Sequence, residues 1–174
     1  MEVAAQFLAA ARDEFRRLKR QAEKALAQVD DDALHSVLGP ESNSLAIIVR
    51  HLAGNMRSRW TDFLTTDGEK PDRNRDGEFE TTPQTRHELL AEWEDGWARL
   101  FSALEALRPA ELSSDVTIRG ETLSVIDAIA RQHTHYGVHV GQIVLLAKHF
   151  AGERWKTLSI ARGQSASPAP YKPR

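Results

Sequence analysis

The chain contains no cysteine among its 174 residues. This absence excludes disulfide bonds, thiolate–zinc sites and a cysteine nucleophile. It also fits a cytoplasmic location, where structural disulfides are rare. An activity that needs sulfur would have to take it from a separate thiol.

An excess of charge of one sign is also lacking, since 23 Lys and Arg residues face 25 Asp and Glu residues. Nucleic acids and anionic membranes attract basic surfaces, so this balance predicts neither partner. No apolar run approaches the ~20 residues that span a bilayer. The amino end lacks the basic and then apolar sequence of a secretory signal, and we therefore expect a cytoplasmic protein.

Four long segments have apolar residues at every third or fourth position, which is typical of amphipathic helices. We predict helices over about residues 3–29, 42–64, 82–107 and 124–150. Ser42, Asn43 or Ser44 would cap the second helix, and Thr82 followed by Pro83 predicts the start of the third. Together the four helices predict an all-α four-helix bundle, formed as a single domain by residues 1–163. Residues 164–174 read as a flexible tail.

The connections between these helices carry less pattern. Asp30-Asp31-Asp32 and then Leu38-Gly39-Pro40 indicate a stop and a turn, with His35 in a loop. Residues 65–82 form a charged connection that is long for a helical protein, either functional or simply a solvated crossover. Residues 116–123 alternate briefly, which fits a small hairpin or an extended crossing loop.

Histidines cluster in the fourth predicted helix, where three of the seven lie between His133 and His139. His135 and His139 are four residues apart, so both side chains lie on one helix face, one turn apart. Two imidazoles placed in this way can share a metal ion. His51 in the second helix is the third candidate ligand, because bundle metal sites combine side chains from facing helices. The alternative is that the spacing arises by chance.

Three further side chains are candidates for orienting these ligands or binding a substrate: Asn55, His133 and Gln142. His133 lies on the predicted core stripe, which favours a hydrogen-bonded core group over a ligand. It would serve as a general base only if it faced the metal. No residue in the sequence identifies itself as the catalytic acid or base, so the catalytic residues stay unknown.

Six stretches of the sequence carry a family resemblance, and they lie at residues 41–44, 50–56, 58–70, 73–76, 135–143 and 155–165. They include the Asp-Gly-Glu-Lys loop of residues 67–70 and the His-x-Gly-Gln run of residues 139–142. Together they resemble the DinB/YfiT-like superfamily of four-helix-bundle metalloproteins, in a branch of unknown function. The likeness extends from about residue 5 to residue 165.

The resemblance implies a divalent metal held by one histidine of the second helix and two of the fourth, which here are His51, His135 and His139. Three nitrogen ligands with open positions suit zinc or nickel. It also implies an up-down-down-up bundle with a long crossover after the second helix, which residues 65–82 supply, and a homodimer. Some relatives are transferases or isomerases that use a low-molecular-weight thiol such as bacillithiol or mycothiol. Three arginines could receive the carboxylates of such a cofactor, or could be solvated charges and members of helix-surface pairs: Arg59, Arg73 and Arg75.

Two hypotheses follow for the function. The first is a divalent-metal-dependent enzyme, a thiol S-transferase or a related hydrolase, in which the metal activates a thiol or water. The second is a non-catalytic, stress-linked metal-binding bundle whose dimer surface is its purpose. The first predicts loss of turnover in His139→Ala with the fold intact, whereas the second predicts a metal that mainly raises thermal stability.

Overall fold

The computed structural model describes residues 2–166, and over this range the chain is mostly helical. It forms five α-helices and one two-stranded antiparallel hairpin. The helices are α1 (Glu2–Leu26), α2 (Asp31–His35), α3 (Leu45–Trp60), α4 (Arg86–Ala106) and α5 (Val125–Ala151), and the strands are β1 (Asp115–Ile118) and β2 (Glu121–Ser124). Short 3-10 turns cover Asp76–Phe79, Pro109–Ser113 and Gly152–Arg154. The predicted all-α class is thus confirmed in broad terms, and residues 167–174 of the predicted tail lie outside the described residues.

The long helices α1, α3, α4 and α5 bury their apolar faces against one another. The most extensive packing joins α3 to α4 and α1 to α5, while α3 also contacts α5. The interior contains the large side chains of Phe15, Trp93, Trp97 and Tyr136, all of them fully buried. These residues belong to the apolar stripes that the sequence showed, so helical periodicity correctly identified the core. Among residues 2–166, no helix combines the length and apolarity needed to cross a membrane.

Gly96 explains the close packing of α3 against α4. A Cβ atom at this position would lie 3.1 Å from the Cα of Ala53 and 3.1 Å from the Cε of Met56. Because one of these neighbours is backbone, the two helices approach closely only with hydrogen in place of a side chain. This contact fixes α3, the helix that carries His51, against α4.

Three predicted boundaries differ in the structure, each because of local capping. A loop was expected around His35, but Asp30 accepts a hydrogen bond from the Ala33 amide (3.0 Å) and starts the short helix α2. Helix α4 begins at Arg86, after Thr82 and Pro83, because Thr85 and Glu88 form a reciprocal capping box. Helix α3 ends at Trp60 and not near Leu64, since Asp62 adopts a left-handed conformation (φ 48°) and turns the chain.

Residues 115–124 form the hairpin that the sequence left open. Arg119 and Gly120 both have positive φ values (57° and 76°), which is the geometry of a two-residue hairpin turn. The carboxylate of Asp67 accepts hydrogen bonds from the amides of both turn residues, each at 2.8 Å. The amide of Gly68 also donates to the carbonyl of Thr117 (2.7 Å). The hairpin therefore fastens the start of the 65–82 connection to the rest of the molecule.

Candidate metal centre

Three histidine side chains meet where α3 packs against α5. His51 comes from α3, and His135 and His139 come from successive turns of α5. One ring nitrogen from each lies within 4.8 Å of the others, and the Nε2 atoms of His51 and His135 are 3.2 Å apart. His51 is buried, whereas His135 and His139 are half-buried at the edge of the site. A group with this spacing could hold a metal ion.

The outer nitrogen of two of these rings is hydrogen-bonded to an acceptor. His51 Nδ1 lies 2.9 Å from Oε2 of Glu78, and His139 Nδ1 lies 2.8 Å from Oε1 of Gln142. A carboxylate accepts and does not donate, so His51 carries its proton on Nδ1. In the neutral ring Nε2 then carries no proton, and this atom lies 3.2 Å from Nε2 of His135. Gln142 can hold His139 in the same tautomer, and its role in orienting this ligand stays a prediction.

The charge state of the cluster also suits a metal. Burial lowers the pKa of His135 to about 3, and the neighbouring His139 and His51 add to the effect. Burial also lowers the pKa of His139, although its hydrogen bond with Gln142 opposes this shift. Both rings are therefore neutral at physiological pH, which is the state in which imidazole binds metals. The neutral rings of His135 and His139, together with the nearby Nε2 atom of His51, fit a divalent cation.

Behind His51 lies a chain of ion pairs that arises in the 65–82 connection and is buried where Arg73 meets Glu78. The Arg73 guanidinium donates to both carboxylate oxygens of Glu78, at 2.8 and 2.9 Å. Arg73 also reaches Glu69 (3.3 Å), which in turn pairs with Arg59 (3.0 Å) and Arg119 (2.8 Å). Burial opposes ionisation of Glu78, but the hydrogen bonds from His51 and Arg73 prevail and lower its pKa. Glu78 is thus a buried carboxylate anion at the back of the site.

The remaining residues singled out in the sequence lie in other surroundings. Asn55 is buried, and its Oδ1 atom accepts a hydrogen bond from the Tyr136 hydroxyl (3.0 Å), which itself accepts from Trp60 Nε1 (3.0 Å). The ring of His133 packs against Phe15 of α1, with centroids 5.5 Å apart. The roles predicted for Asn55 and His133 in orienting ligands or binding substrate stay predictions.

The three arginines considered as receptors for a cofactor have partners within the protein. Arg59 forms an ion pair with Glu69 and Arg73 forms one with Glu78. Both arginine side chains are buried, so the interpretation of these two residues as solvated charges is wrong. Arg75 lies over the ring of Phe79, 6.0 Å from its centroid. Phe79 in turn contacts the His51 ring, with centroids 4.8 Å apart.

Glu78 and Phe79 were not found by sequence reasoning. Both lie in the 3-10 turn of the charged connection, where acidic and basic residues alternate without a helical or strand period. Nothing in that stretch distinguishes Glu78 from its acidic neighbours. Gly54, three residues after His51, is a signal available in the sequence, because a small residue lets another group come close to this face of α3.

Comparison with known proteins gives a family and no activity. The family described as "Protein of unknown function (DUF1572)" has a model that matches residues 2–164. This range includes both helices that carry the histidines and the connection that carries Glu78. A search of curated proteins found no match to the chain.

Proposed function

The chain belongs to the DUF1572 family, and we propose that it is a divalent-metal-dependent enzyme whose metal is held by His51, His135 and His139. We further propose that the family is a branch of the DinB-like superfamily, with the four long helices arranged as an up-down-down-up bundle. Residues 65–82 would be the long crossover of that topology. Zinc and nickel are the metals that a set of three imidazoles suits best.

One observation carries this proposal, namely the convergence of three imidazoles from two helices, with the outer nitrogens of His51 and His139 turned to Glu78 and Gln142. A structural zinc site usually has four protein ligands, whereas three leave a position open to an exogenous molecule. A divalent metal in such a site lowers the pKa of a thiol or water that binds it. The half-buried side chains of His135 and His139 leave this position accessible from outside.

We propose a reaction in which the sulfur of a low-molecular-weight thiol, such as bacillithiol, bonds to an electrophilic substrate as the substrate's leaving group departs and the thiol proton is lost. Metal-assisted hydrolysis, with water in place of the thiol, is the variant. The chain has no cysteine, so a separate thiol molecule would have to supply the sulfur as a substrate. The apolar ring of Phe79 beside His51 would exclude water from one side of the site. A small-molecule electrophile is the partner that this chemistry requires, and the cytoplasm, where such thiols are reduced, is the location that suits it.

The alternative is a non-catalytic, stress-linked metal-binding dimer. It is favoured by the state of Glu78, the carboxylate nearest the histidines, which is fully engaged by His51 and Arg73 and so unsuited to move protons. Val138 and Leu145 on the outer face of α5 are 59% and 63% exposed. The homodimer, which is proposed in either case, would cover these two apolar side chains.

Metal analysis tests the proposal first. Protein produced without a histidine tag should contain near-stoichiometric zinc or nickel by mass spectrometry, and His51→Ala and His139→Ala should lose it. His87→Ala, which removes an exposed histidine of α4, is the matched control and should retain the metal. A parent that takes up neither zinc nor nickel on dialysis would refute the metalloenzyme.

Turnover then separates the two functions. The metal-loaded parent is assayed with a panel of low-molecular-weight thiols and electrophiles, and with ester and amide substrates. The enzyme hypothesis predicts turnover that His139→Ala abolishes while the helical circular dichroism is retained. A loaded protein that turns over no substrate, and whose melting temperature depends strongly on the metal, would support the binding protein.

A further inference from the structure

We infer that Glu78 is the positioning residue of the metal site. Its carboxylate holds the imidazole of His51 so that the Nε2 atom of His51 is free to bind the metal and faces the other two histidines. Gly54, which has no side chain, leaves the space that the Glu78 carboxylate occupies. The inference deepens the proposed function and rests on it for the identity of the ligands. It concerns a residue of the 65–82 connection that supplies no ligand itself.

The first argument is the contact between Glu78 and His51. Nδ1 and Oε2 are 2.9 Å apart, and the two side chains are only 5% and 8% exposed. A neutral imidazole next to a buried carboxylate has one favourable tautomer, with the proton on Nδ1 between them. The ring is then fixed in both tautomer and orientation, which leaves Nε2 as the ligand atom.

The second argument is that Glu78 is itself held in place. Arg73, only 5% exposed, donates to both of its oxygens, and Arg73 is tied to Glu69. Glu69 is braced by Arg59 of α3 and by Arg119 of the hairpin turn. A bidentate arginine fixes the plane of a carboxylate as well as its location. The position of Glu78 therefore depends on the connection, the hairpin and α3 together.

The third argument is Gly54, which lies three residues after His51 on the same face of α3. A Cβ atom added there would lie 2.8 Å from Cδ of Glu78 and closer still to its Oε1 atom. Glycine in a helix interior costs about 1 kcal/mol relative to alanine. Its presence at this position is explained by the carboxylate that occupies the space of its missing side chain.

Gly54→Ala is the variant that isolates this role. The added methyl group meets the flexible end of the Glu78 side chain and not backbone, so the carboxylate moves while the helix remains. Glu78→Ala is less suitable, because it leaves the buried Arg73 without a partner and destabilises the fold. Gly137→Ala is the matched control, because it makes the same substitution in α5, where a Cβ atom has no neighbour within 4 Å.

The first readout needs no metal. Long-range proton–nitrogen NMR spectra of metal-free protein labelled with ¹⁵N-histidine report which ring nitrogen carries the proton, and His51→Ala assigns the His51 signals. We expect the parent and Gly137→Ala to show His51 protonated on Nδ1. Gly54→Ala should show a mixture of tautomers.

The second readout is the affinity for Zn²⁺ alone, measured by competition with a chelator. Gly54→Ala should weaken binding about 10- to 100-fold, the loss usual for removal of a group that orients a ligand. Gly137→Ala should bind as the parent does. An unchanged tautomer or an unchanged affinity in Gly54→Ala would overturn the inference and leave the proposed metal site standing. A parent that binds no metal would instead overturn the proposed function, while the tautomer comparison would still decide what Glu78 does to His51.

Discussion

Replacing Glu69 with Gln should destabilise the protein in a manner that depends on pH. The Glu69 carboxylate joins Arg73 (3.3 Å), Arg59 (3.0 Å) and Arg119 (2.8 Å), and its side chain is 25% exposed. Burial opposes its ionisation, but the hydrogen bonds and charges of the arginines prevail and lower its pKa from 4.5 to about 2. A group whose pKa is depressed in the folded state stabilises that state wherever the unfolded group is ionised.

The expected magnitude follows from this shift. One pKa unit corresponds to about 1.4 kcal/mol, so the upper limit at neutral pH is about 3 kcal/mol. Because Arg119 is 47% exposed, solvent screens the Arg119–Glu69 ion pair and reduces its contribution to stability. We therefore expect Glu69→Gln to lower the free energy of unfolding by about 2 kcal/mol. This contribution is complete above pH 4.5 and is lost as the pH falls toward 2. About half of it should be gone near pH 3.

Urea denaturation of metal-free protein, at several pH values from 7 down to about 3, measures the effect. The parent and Glu69→Gln should differ most at neutral pH and converge as the solution becomes acid. Glu14→Gln, which breaks an exposed ion pair with Arg17, is the control and should change the unfolding free energy by less than about 0.5 kcal/mol. A difference between the parent and Glu69→Gln that stays constant down to pH 3 would show that the Glu69 charge does not stabilise the fold.

Three further predictions follow from other parts of the structure. Tyr136→Phe leaves the indole N–H of Trp60 buried without its acceptor, and urea denaturation should show a loss of about 2 kcal/mol. Gly96→Val should cost about 3 kcal/mol by forcing α3 from α4, whereas the same change at Gly137, where the space is open, should cost less than about 1 kcal/mol in the same assay. Free zinc at 100 times its Kd should stabilise the parent by about 2.7 kcal/mol, seen as a higher melting temperature, and should leave His139→Ala unchanged.

Helical periodicity predicted the parts of this fold that depend on burial. Phe15, Trp93, Trp97 and Tyr136 recur at helical spacing because each must reach the same interior, and all four are buried there. The ends of helices were less predictable. Thr82 with Pro83 is a good start signal, yet α4 begins after Thr85, because Thr85 has Glu88 three residues later to complete a capping box.

The candidate site likewise has one part that the sequence predicted and another part that it did not. The spacing of His135 and His139 follows from helix geometry, and the structure places them side by side, with ring centroids 4.8 Å apart. His51 required more, because its proximity to them depends on how α3 packs against α5, which periodicity does not determine. In the sequence, the general design of bundle metal sites suggested His51 as the third ligand, and the family resemblance supported this choice, but no spacing rule did.

Neither helical periodicity nor the family resemblance identified Glu78, and the reason is physical. Its position is set by contacts with Arg73 and Glu69, which lie in a stretch without helical or strand period, and by contacts that are distant in sequence, with His51 and between Glu69 and Arg119 of the hairpin. Three histidines on two helices therefore define where a metal could bind. The connection of residues 65–82 supplies Glu78, which determines the tautomer in which His51 would bind the metal. Two designs on another helical scaffold would test this conclusion. The first carries only the three histidines, and the second adds a glycine one turn after the first histidine and a carboxylate that packs against this glycine. We expect the first design to bind metal more weakly than the second. The comparison requires only two designs and one titration, and equal affinities would mean that helix packing alone orients the ligands.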